Sequence, residues 1–226
     1  MRKDIEIQFN TKLFIILLLI ELITVPLVAI SNPLLTKNFW TTIVFGFVIA
    51  AFGLVLLLRI IRNYLISNSE SLFGVSVNQI SNLWFIVIIA GILEMVMFGI
   101  QDTLFSKHVN VYTVGFISAL GSVFCSLVVY KLCASLFKIS ITLENDENKI
   151  SINFSWLNII YLSFLFGVYE FIVCPITGWW IPYHGFARFG IAVLSAFIGA
   201  ICGFLLMLIV VKLIKRKVYF YLSEIN

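Results

Sequence analysis

Charged residues are scarce in this chain of 226 residues: Asp, Glu, Lys and Arg together make up 12% of it. A soluble protein of similar length carries about twice that fraction. Hydrophobic residues make up 62%, and the mean hydropathy is +1.09. Lipid is therefore expected to be the solvent for much of the surface. The net charge of +4 does not indicate nucleic-acid binding, because the basic residues form no patch with interleaved aromatic residues.

The motifs of soluble enzymes and metalloproteins are also missing. The four cysteines lie in or beside apolar segments without a C-x-x-C pair, which favours a packing role. There is no phosphate-binding glycine loop, no paired zinc-ligand motif and no serine–histidine arrangement at matching depth. We therefore expect no metal and no cofactor, and soluble catalysis is disfavoured. Catalysis inside the membrane stays open as a hypothesis, although no nucleophile can be named.

Long apolar segments predict the fold class, an all-α polytopic membrane protein with six transmembrane helices. A span needs about 20 apolar residues. The six segments that qualify are Leu13–Ile30, Phe39–Ile61, Leu83–Phe105, Val111–Phe137, Trp156–Trp180 and Phe189–Ile214. Short polar turns join them in pairs, so the prediction is a single transmembrane domain made of three helix hairpins.

The distribution of lysine and arginine predicts the orientation. Twelve of these residues fall at the two termini and in the longer connections between hairpins, against three at the short turns. Because cytoplasmic loops carry the excess of positive charge, both termini are expected in the cytoplasm. The expected location is a bacterial cytoplasmic membrane.

The odd-numbered segments share a pattern of rare residues that indicates a threefold repeat. Each has a glutamate followed five positions later by proline or glycine, and the glutamates are 73 and 76 residues apart. The glutamates are Glu21, Glu94 and Glu170, and the residues that follow are Pro26, Gly99 and Pro175. The pattern predicts repeats over residues 1–68, 69–143 and 144–226. The alternative is chance similarity between segments rich in the same apolar residues.

Short alternating stretches precede each odd segment and predict cytoplasmic β segments. They are Ile5–Phe9, Val75–Val77 and Ile150–Phe154. The stretch Lys138–Phe154 has four polar residues at its centre, at positions 145–148, which is typical of a β-hairpin. This hairpin is the expected contact for a protein partner, if the protein has one.

The three glutamates are predicted to lie near the middle of the bilayer. They follow the cytoplasmic start of their segments by 8 to 14 residues, or roughly 12–21 Å of helix. A charged side chain there costs about 3 kcal/mol on insertion scales, so the glutamates are expected to face the bundle interior. The functional interpretation is a polar site or ion pathway. The structural one is that each glutamate, protonated, bonds a neighbouring helix.

The residue five positions after each glutamate is a candidate helix break. Pro26 and Pro175 cannot donate to the carbonyl four residues earlier, which leaves an acceptor next to each carboxylate. Interrupted helices of this kind mark binding sites in many transporters. Gly99 is weaker evidence. Asp102, two turns beyond Glu94, could line an outer entrance or cap a helix end.

Other polar and small residues are given structural interpretations. His108, His184 and Arg188 lie in or beside the outer turns and are expected to be loop residues. The five tryptophans lie at predicted helix ends, where they would form interfacial belts. Small residues at helical spacing in the even segments predict close helix packing or homo-oligomer contacts. They are Gly46, Ala50, Gly53, Gly115, Ser118, Ser122, Ala192, Ala196, Gly199 and Gly203.

Two classes of function fit this pattern. The first is a small transporter or channel-like protein whose glutamates handle a proton, a cation or a cationic substrate. The second is a non-transporting membrane partner, such as a permease-associated subunit, a sensor or an immunity or defence component, which acts through its cytoplasmic segments.

Overall fold

The computed structural model describes residues 4–35, 53, 55–85, 88–89, 104, 109–135, 138–144 and 149–224. Within these ranges the chain is mostly helical. The helices are α1 (Thr11–Leu35), α2 (Ser69–Phe73), α3 (Val111–Ser135), α4 (Trp156–Thr177) and α5 (Gly185–Ile214). Residues 55–67 form a further helical stretch before α2, and one 3₁₀ turn, Gly178–Trp180, follows α4.

Four of the described helices are long and apolar enough to cross a membrane. The candidate spans are Thr11–Ile30, Val111–Lys131, Trp156–Trp180 and Gly185–Ile214. They correspond to the first, fourth, fifth and sixth predicted segments, and the protein is accordingly a membrane protein. Most of the second and third predicted segments, 39–61 and 83–105, lies outside the described residues. Large apolar side chains such as Phe124, Leu205 and Leu213 are exposed on these helices, as expected for side chains that face lipid.

The strands within the described ranges form a single antiparallel sheet. They are β1 (Asp4–Glu6), β2 (Val77–Ile80), β3 (Ser140–Leu143), β4 (Lys149–Phe154) and β5 (Tyr219–Glu224), in the spatial order β1-β5-β4-β3-β2. The predicted hairpin is confirmed, since β3 pairs with β4 with Ile141 opposite Ile150. The strands predicted near Ile5 and Val77 are also present. Strand β5 was not predicted, and it joins β1 to β4.

The sheet curls until its two edge strands face one small apolar cavity. Ile5 of β1 and Val77 of β2 both line it, together with Phe73 of α2. Helix α2 also bonds to both edges: Gln8 N–H donates to the Leu72 carbonyl at 2.9 Å, and Val77 N–H donates to Ser69 Oγ at 3.0 Å. The backbone groups that would otherwise be open at the sheet edges are therefore partly satisfied within the chain.

The sheet lies where four of the helices begin or end. Strand β1 leads into α1 and β4 into α4, while α3 leads into β3 and α5 into β5. Because β1 pairs with β5, the first and last described strands are neighbours. Asn158 at the start of α4 donates to the Tyr219 carbonyl of β5 at 2.7 Å, which fastens helix to sheet.

An exposed ion pair joins the beginning and end of the described chain. Lys217 Nζ lies 3.0 Å from Glu6 Oε2. Its hydrogen bond with Glu6 raises the pKa of Lys217 above the ordinary lysine value. The stabilising effect is therefore complete below the unfolded pKa and is lost only as the pH rises through the folded one. The pair does not make the fold sensitive to pH near neutrality.

The described spans pack through small residues that bring their backbones together. A Cβ added to Gly115 of α3 would lie 2.9 Å from Pro175 Cγ, and one added to Gly167 of α4 would lie 2.5 Å from Val123 Cγ2. Helices α1 and α5 meet through Val25, Ala29, Ala192 and Ala196. Close backbone approach is how membrane helices gain packing energy, because lipid supplies no hydrophobic drive between them.

Gly167→Ala is expected to destabilise the helix packing. The new methyl group would overlap Val123 and press on the Ala119 carbonyl, 3.2 Å from the Cβ position. Overpacking of this kind costs on the order of 1–3 kcal/mol. The matched control is Gly190→Ala in α5, where no atom lies within 4 Å of the added Cβ. Thermal unfolding in detergent should show a midpoint below that of the wild type for Gly167→Ala. The midpoint of the control should not be lowered. Equal midpoints would contradict the tight α3–α4 contact.

Candidate functional site

Glu21 of α1 is a buried carboxylate in the middle of an apolar helix. Its exposed fraction is 8%, and its Oε1 accepts a hydrogen bond from Tyr169 Oη of α4 at 3.2 Å. Tyr169 is itself 1% exposed. The bond therefore joins two buried side chains that are 148 residues apart in sequence and lie on different helices. A buried hydrogen bond to a carboxylate is stronger than an exposed neutral one.

Tyr169 can reach Glu21 because α5 has no side chain beside the tyrosine ring. A Cβ on Gly203 would lie 2.8 Å from Tyr169 Cδ2 and 2.6 Å from Val173 Cγ2. Both distances are shorter than real Cβ contacts allow. The glycine predicted to serve close packing therefore also positions the phenol of this hydrogen bond.

Glu170, the third of the predicted glutamates, directly follows Tyr169 in α4. Glu21 and Glu170 both interact electrostatically with the thiol of Cys174, one turn further along α4. The Cys174 thiol lies 3.0 Å from Ser118 Oγ of α3. The Glu21–Tyr169 and Cys174–Ser118 contacts thus connect α1 to α4 and α4 to α3. We call these five residues the carboxylate cluster: Glu21, Tyr169, Glu170, Cys174 and Ser118.

One face of α4 carries polar groups from the sheet side toward the carboxylate cluster. Ser163 precedes Glu170 by seven residues, or two helical turns, so both lie on one face with Gly167 between them. Gly167 packs against Ala119 and Val123 of α3, so this face is turned toward α3. Ser163 is fully buried, and its Oγ has no hydrogen-bond partner among the described residues.

The two prolines predicted as helix breaks lie within continuous helices. Helix α1 runs through Pro26 to Leu35, and α4 runs through Pro175 to Thr177. The Phe171 carbonyl, to which Pro175 cannot donate, lies 3.2 Å from the Cβ position of Gly115. It therefore faces the α3 backbone, where a weak Cα–H contact is the available partner.

Several predicted site residues cannot be placed. Glu94, Gly99 and Asp102 lie outside the described residues, as does His108. Convergence of the three glutamates accordingly stays a prediction.

Arg188 and Trp180 differ from their predicted roles in a loop and an interfacial belt. Arg188 lies in the first turn of α5 with 7% of its surface exposed, and its guanidinium lies 4.5 Å from the Trp180 ring centre. Trp180 is 4% exposed and packs with Val25 and Ala29 of α1. The apolar contact with α1 draws the tryptophan inward, and the arginine stacks on its ring. His184, just before α5, is exposed as expected for a turn residue.

Three members of the carboxylate cluster were not predicted as site residues. Tyr169 directly precedes Glu170, and a tyrosine deep inside a span, away from the interface, was the available signal. Cys174 and Ser118 were assigned to packing, and no pattern in the sequence pairs them. In the described part of the chain, no three His, Cys, Asp or Glu side chains are close enough together to hold a metal ion.

The comparisons with known proteins give no relative. No protein-family model matches the chain, and neither a curated protein nor a solved structure matches it.

Proposed function

We propose that the protein is a small transporter or channel-like protein that uses intramembrane carboxylates to pass a proton, a cation or a cationic substrate. The observation that carries the proposal is the Glu21–Tyr169 hydrogen bond in the interior of a membrane protein, with Glu170 next to Tyr169 in the sequence of α4. Ionisable residues are expensive in the hydrocarbon region, and a glutamate inside each of two spans favours a functional use over a purely structural one. The buried Ser163 hydroxyl between this site and the sheet adds a polar step on the same face of α4.

The finer architecture belongs to the same proposal: six spans arranged as three repeats, each a helix hairpin preceded by a short strand. Two pairings support it. Strands β4 and β5 flank the hairpin of α4 and α5 and pair with each other, and β2 pairs with β3 across the sequence that holds the second hairpin. Helix α2, at the start of the second repeat, bonds to the chain beside β1 and to β2.

The proposed orientation places the sheet and both termini in the cytoplasm of a bacterial cell. The positive-charge bias supports it, and the pairing of β1 with β5 is consistent with both termini on one side.

Glu21→Gln and Glu170→Gln are expected to abolish flux of the transported proton or cation. Glutamine keeps the size of the side chain but cannot exchange a proton or balance a cation at neutral pH. The measurement is ion flux into liposomes that contain the purified protein, with pH-sensitive and cation-sensitive dyes inside. Flux should fall to the level of protein-free liposomes.

Glu70→Gln is the matched control for charge removal. Glu70 is exposed on α2 next to the sheet, so its loss of charge should leave flux and membrane level unchanged. If Glu21→Gln and Glu170→Gln both carry flux equal to this control, the transport proposal is wrong.

Reporter fusions are expected to show six membrane crossings. Alkaline phosphatase, which is active only outside the cytoplasm, should be active after positions 37, 108 and 184. Green fluorescent protein should fluoresce when fused after positions 68, 144 and 226. An active phosphatase after 144, or a silent one after 108, would contradict the three-hairpin arrangement.

The partner hypothesis requires a milder test than removal of the hairpin. Strands β3 and β4 lie inside the sheet, each paired on both sides, so deletion of 138–154 would disrupt the whole sheet. Replacing residues 145–148 with a two-residue Asn-Gly turn alters the tip and keeps both strands. We expect this variant to retain full flux in liposomes. Absence of flux from the wild-type protein, with a partner protein that co-purifies with the wild type and not with this turn variant, would favour a non-transporting protein that acts through its cytoplasmic segments.

A further inference from the structure

We propose that the sheet-side end of α4 and α5 binds the phosphate group of an anionic phospholipid, with Arg216 at the centre of the site. The residues that carry the inference are Asn158 and Tyr161 of α4, and Arg216, which follows the end of α5. We call these three residues the phosphate site. The inference goes beyond the proposed transport and does not depend on it, because it concerns a lipid bound at the edge of the membrane.

The guanidinium group of Arg216 is held in place by α4. Its Nη2 donates to Asn158 Oδ1 at 3.4 Å, and its Cζ lies 5.7 Å from the centre of the Tyr161 ring. The Asn158 amide is itself buried and fixed, since its Nδ2 donates to the Tyr219 carbonyl at 2.7 Å. The arginine is therefore positioned against a helix and a strand, unlike a lysine that extends into water.

The phosphate site has more hydrogen-bond donors than acceptors. A guanidinium group has five N–H donors and keeps its charge at any physiological pH. In the described part of the chain, the long bond to Asn158 is the one hydrogen bond that this group makes. Arg216 Nε is buried without a partner there, and so is the hydroxyl of Tyr161, a residue with 7% exposure. Because buried polar groups without partners are costly, the site favours a ligand that brings acceptors.

The charge at the end of α5 favours an acceptor with a negative charge. Within the described ranges, Lys217 pairs with Glu6, whereas Lys212, Lys215 and Arg216 have no carboxylate partner. A phosphate group supplies negative charge together with several acceptor oxygens. Its geometry also matches the planar guanidinium group, which binds phosphate through two parallel hydrogen bonds. Arg216 is partly exposed, so a phosphate can reach it from the surface.

The depth of the site favours a lipid phosphate over a soluble one. One candidate span begins at Trp156 and another ends at Ile214, so Asn158 and Arg216 lie where two spans end and lipid head groups are found. Leu157 and Leu213, close in sequence to these two residues, are exposed apolar side chains that can contact acyl chains. The three cations without carboxylates favour a head group that brings no positive charge of its own.

Native mass spectrometry of the purified full-length protein tests the inference. The protein is freed of co-purified lipid in a neutral detergent and titrated with phosphatidylglycerol or phosphatidylcholine that have the same acyl chains. We expect phosphatidylglycerol to bind at the lower concentration, because phosphatidylcholine has a cationic head group. Excess inorganic phosphate, at matched ionic strength, should not displace the bound phosphatidylglycerol, since it lacks the acyl chains.

Variants of Arg216 separate a built site from general attraction to positive charge. Arg216→Gln should weaken phosphatidylglycerol binding on the order of tenfold, the effect of losing a hydrogen bond between charged groups. The matched control Lys217→Gln removes the same charge from the adjacent residue and should keep the wild-type affinity. Arg216→Lys keeps the charge without the planar fork and should bind phosphatidylglycerol more weakly than the wild type. If size-exclusion chromatography shows that Arg216→Gln is misfolded, Arg216→Lys provides the answer.

Three results would overturn the inference: equal binding of the two lipids by the wild-type protein, displacement of phosphatidylglycerol by inorganic phosphate, or the same affinity in the Arg216 variants as in Lys217→Gln. The second result would identify a site for soluble phosphate, and the third would leave general attraction of an anionic lipid to the basic end of α5. Because lipid binding is measured without flux, failure of the transport proposal and failure of this inference are distinguishable.

Discussion

Close approach of helix backbones is the constraint on which the described structure depends. In lipid there is no gain from hiding apolar side chains between helices, so van der Waals packing and buried hydrogen bonds must hold the bundle together. Gly115, Gly167 and Gly203 permit contacts that a single methyl group would block. The Cys174–Ser118 contact forms at this shortened distance between α3 and α4, and Gly203 leaves room for the Tyr169 ring that bonds Glu21.

The carboxylate cluster shows how packing and chemistry are linked. A carboxylate in a dry interior must acquire a donor or a proton, because the cost of leaving it charged and unsolvated is several kcal/mol. Tyr169 is the donor here, and Gly203 makes room for it. The hydrogen bond that joins α1 to α4 therefore stabilises both the helix packing and the buried carboxyl group.

The sheet unites chain segments that are far apart in sequence. Strands from both ends of the described chain and from two internal connections pair in one curled sheet, and α2 bonds to its two edges. The starts of α1 and α4 and the ends of α3 and α5 are thereby held together. A ladder of this kind limits how far these helix ends can separate, so any relative motion of the helices is expected at the opposite end of the bundle.

The sequence by itself determined the membrane character, four spans that the structure describes, the hairpin of β3 and β4, and the burial of Glu21. These follow from local hydrophobicity, periodicity and the cost of charge in lipid, all of which are readable along the chain. Only the tertiary structure decided that Tyr169 bonds Glu21, that Ser118 meets Cys174, and that β5 lies between β1 and β4. Such pairings depend on the relative rotation and separation of helices and on long-range strand pairing. A single sequence contains no local signal for either.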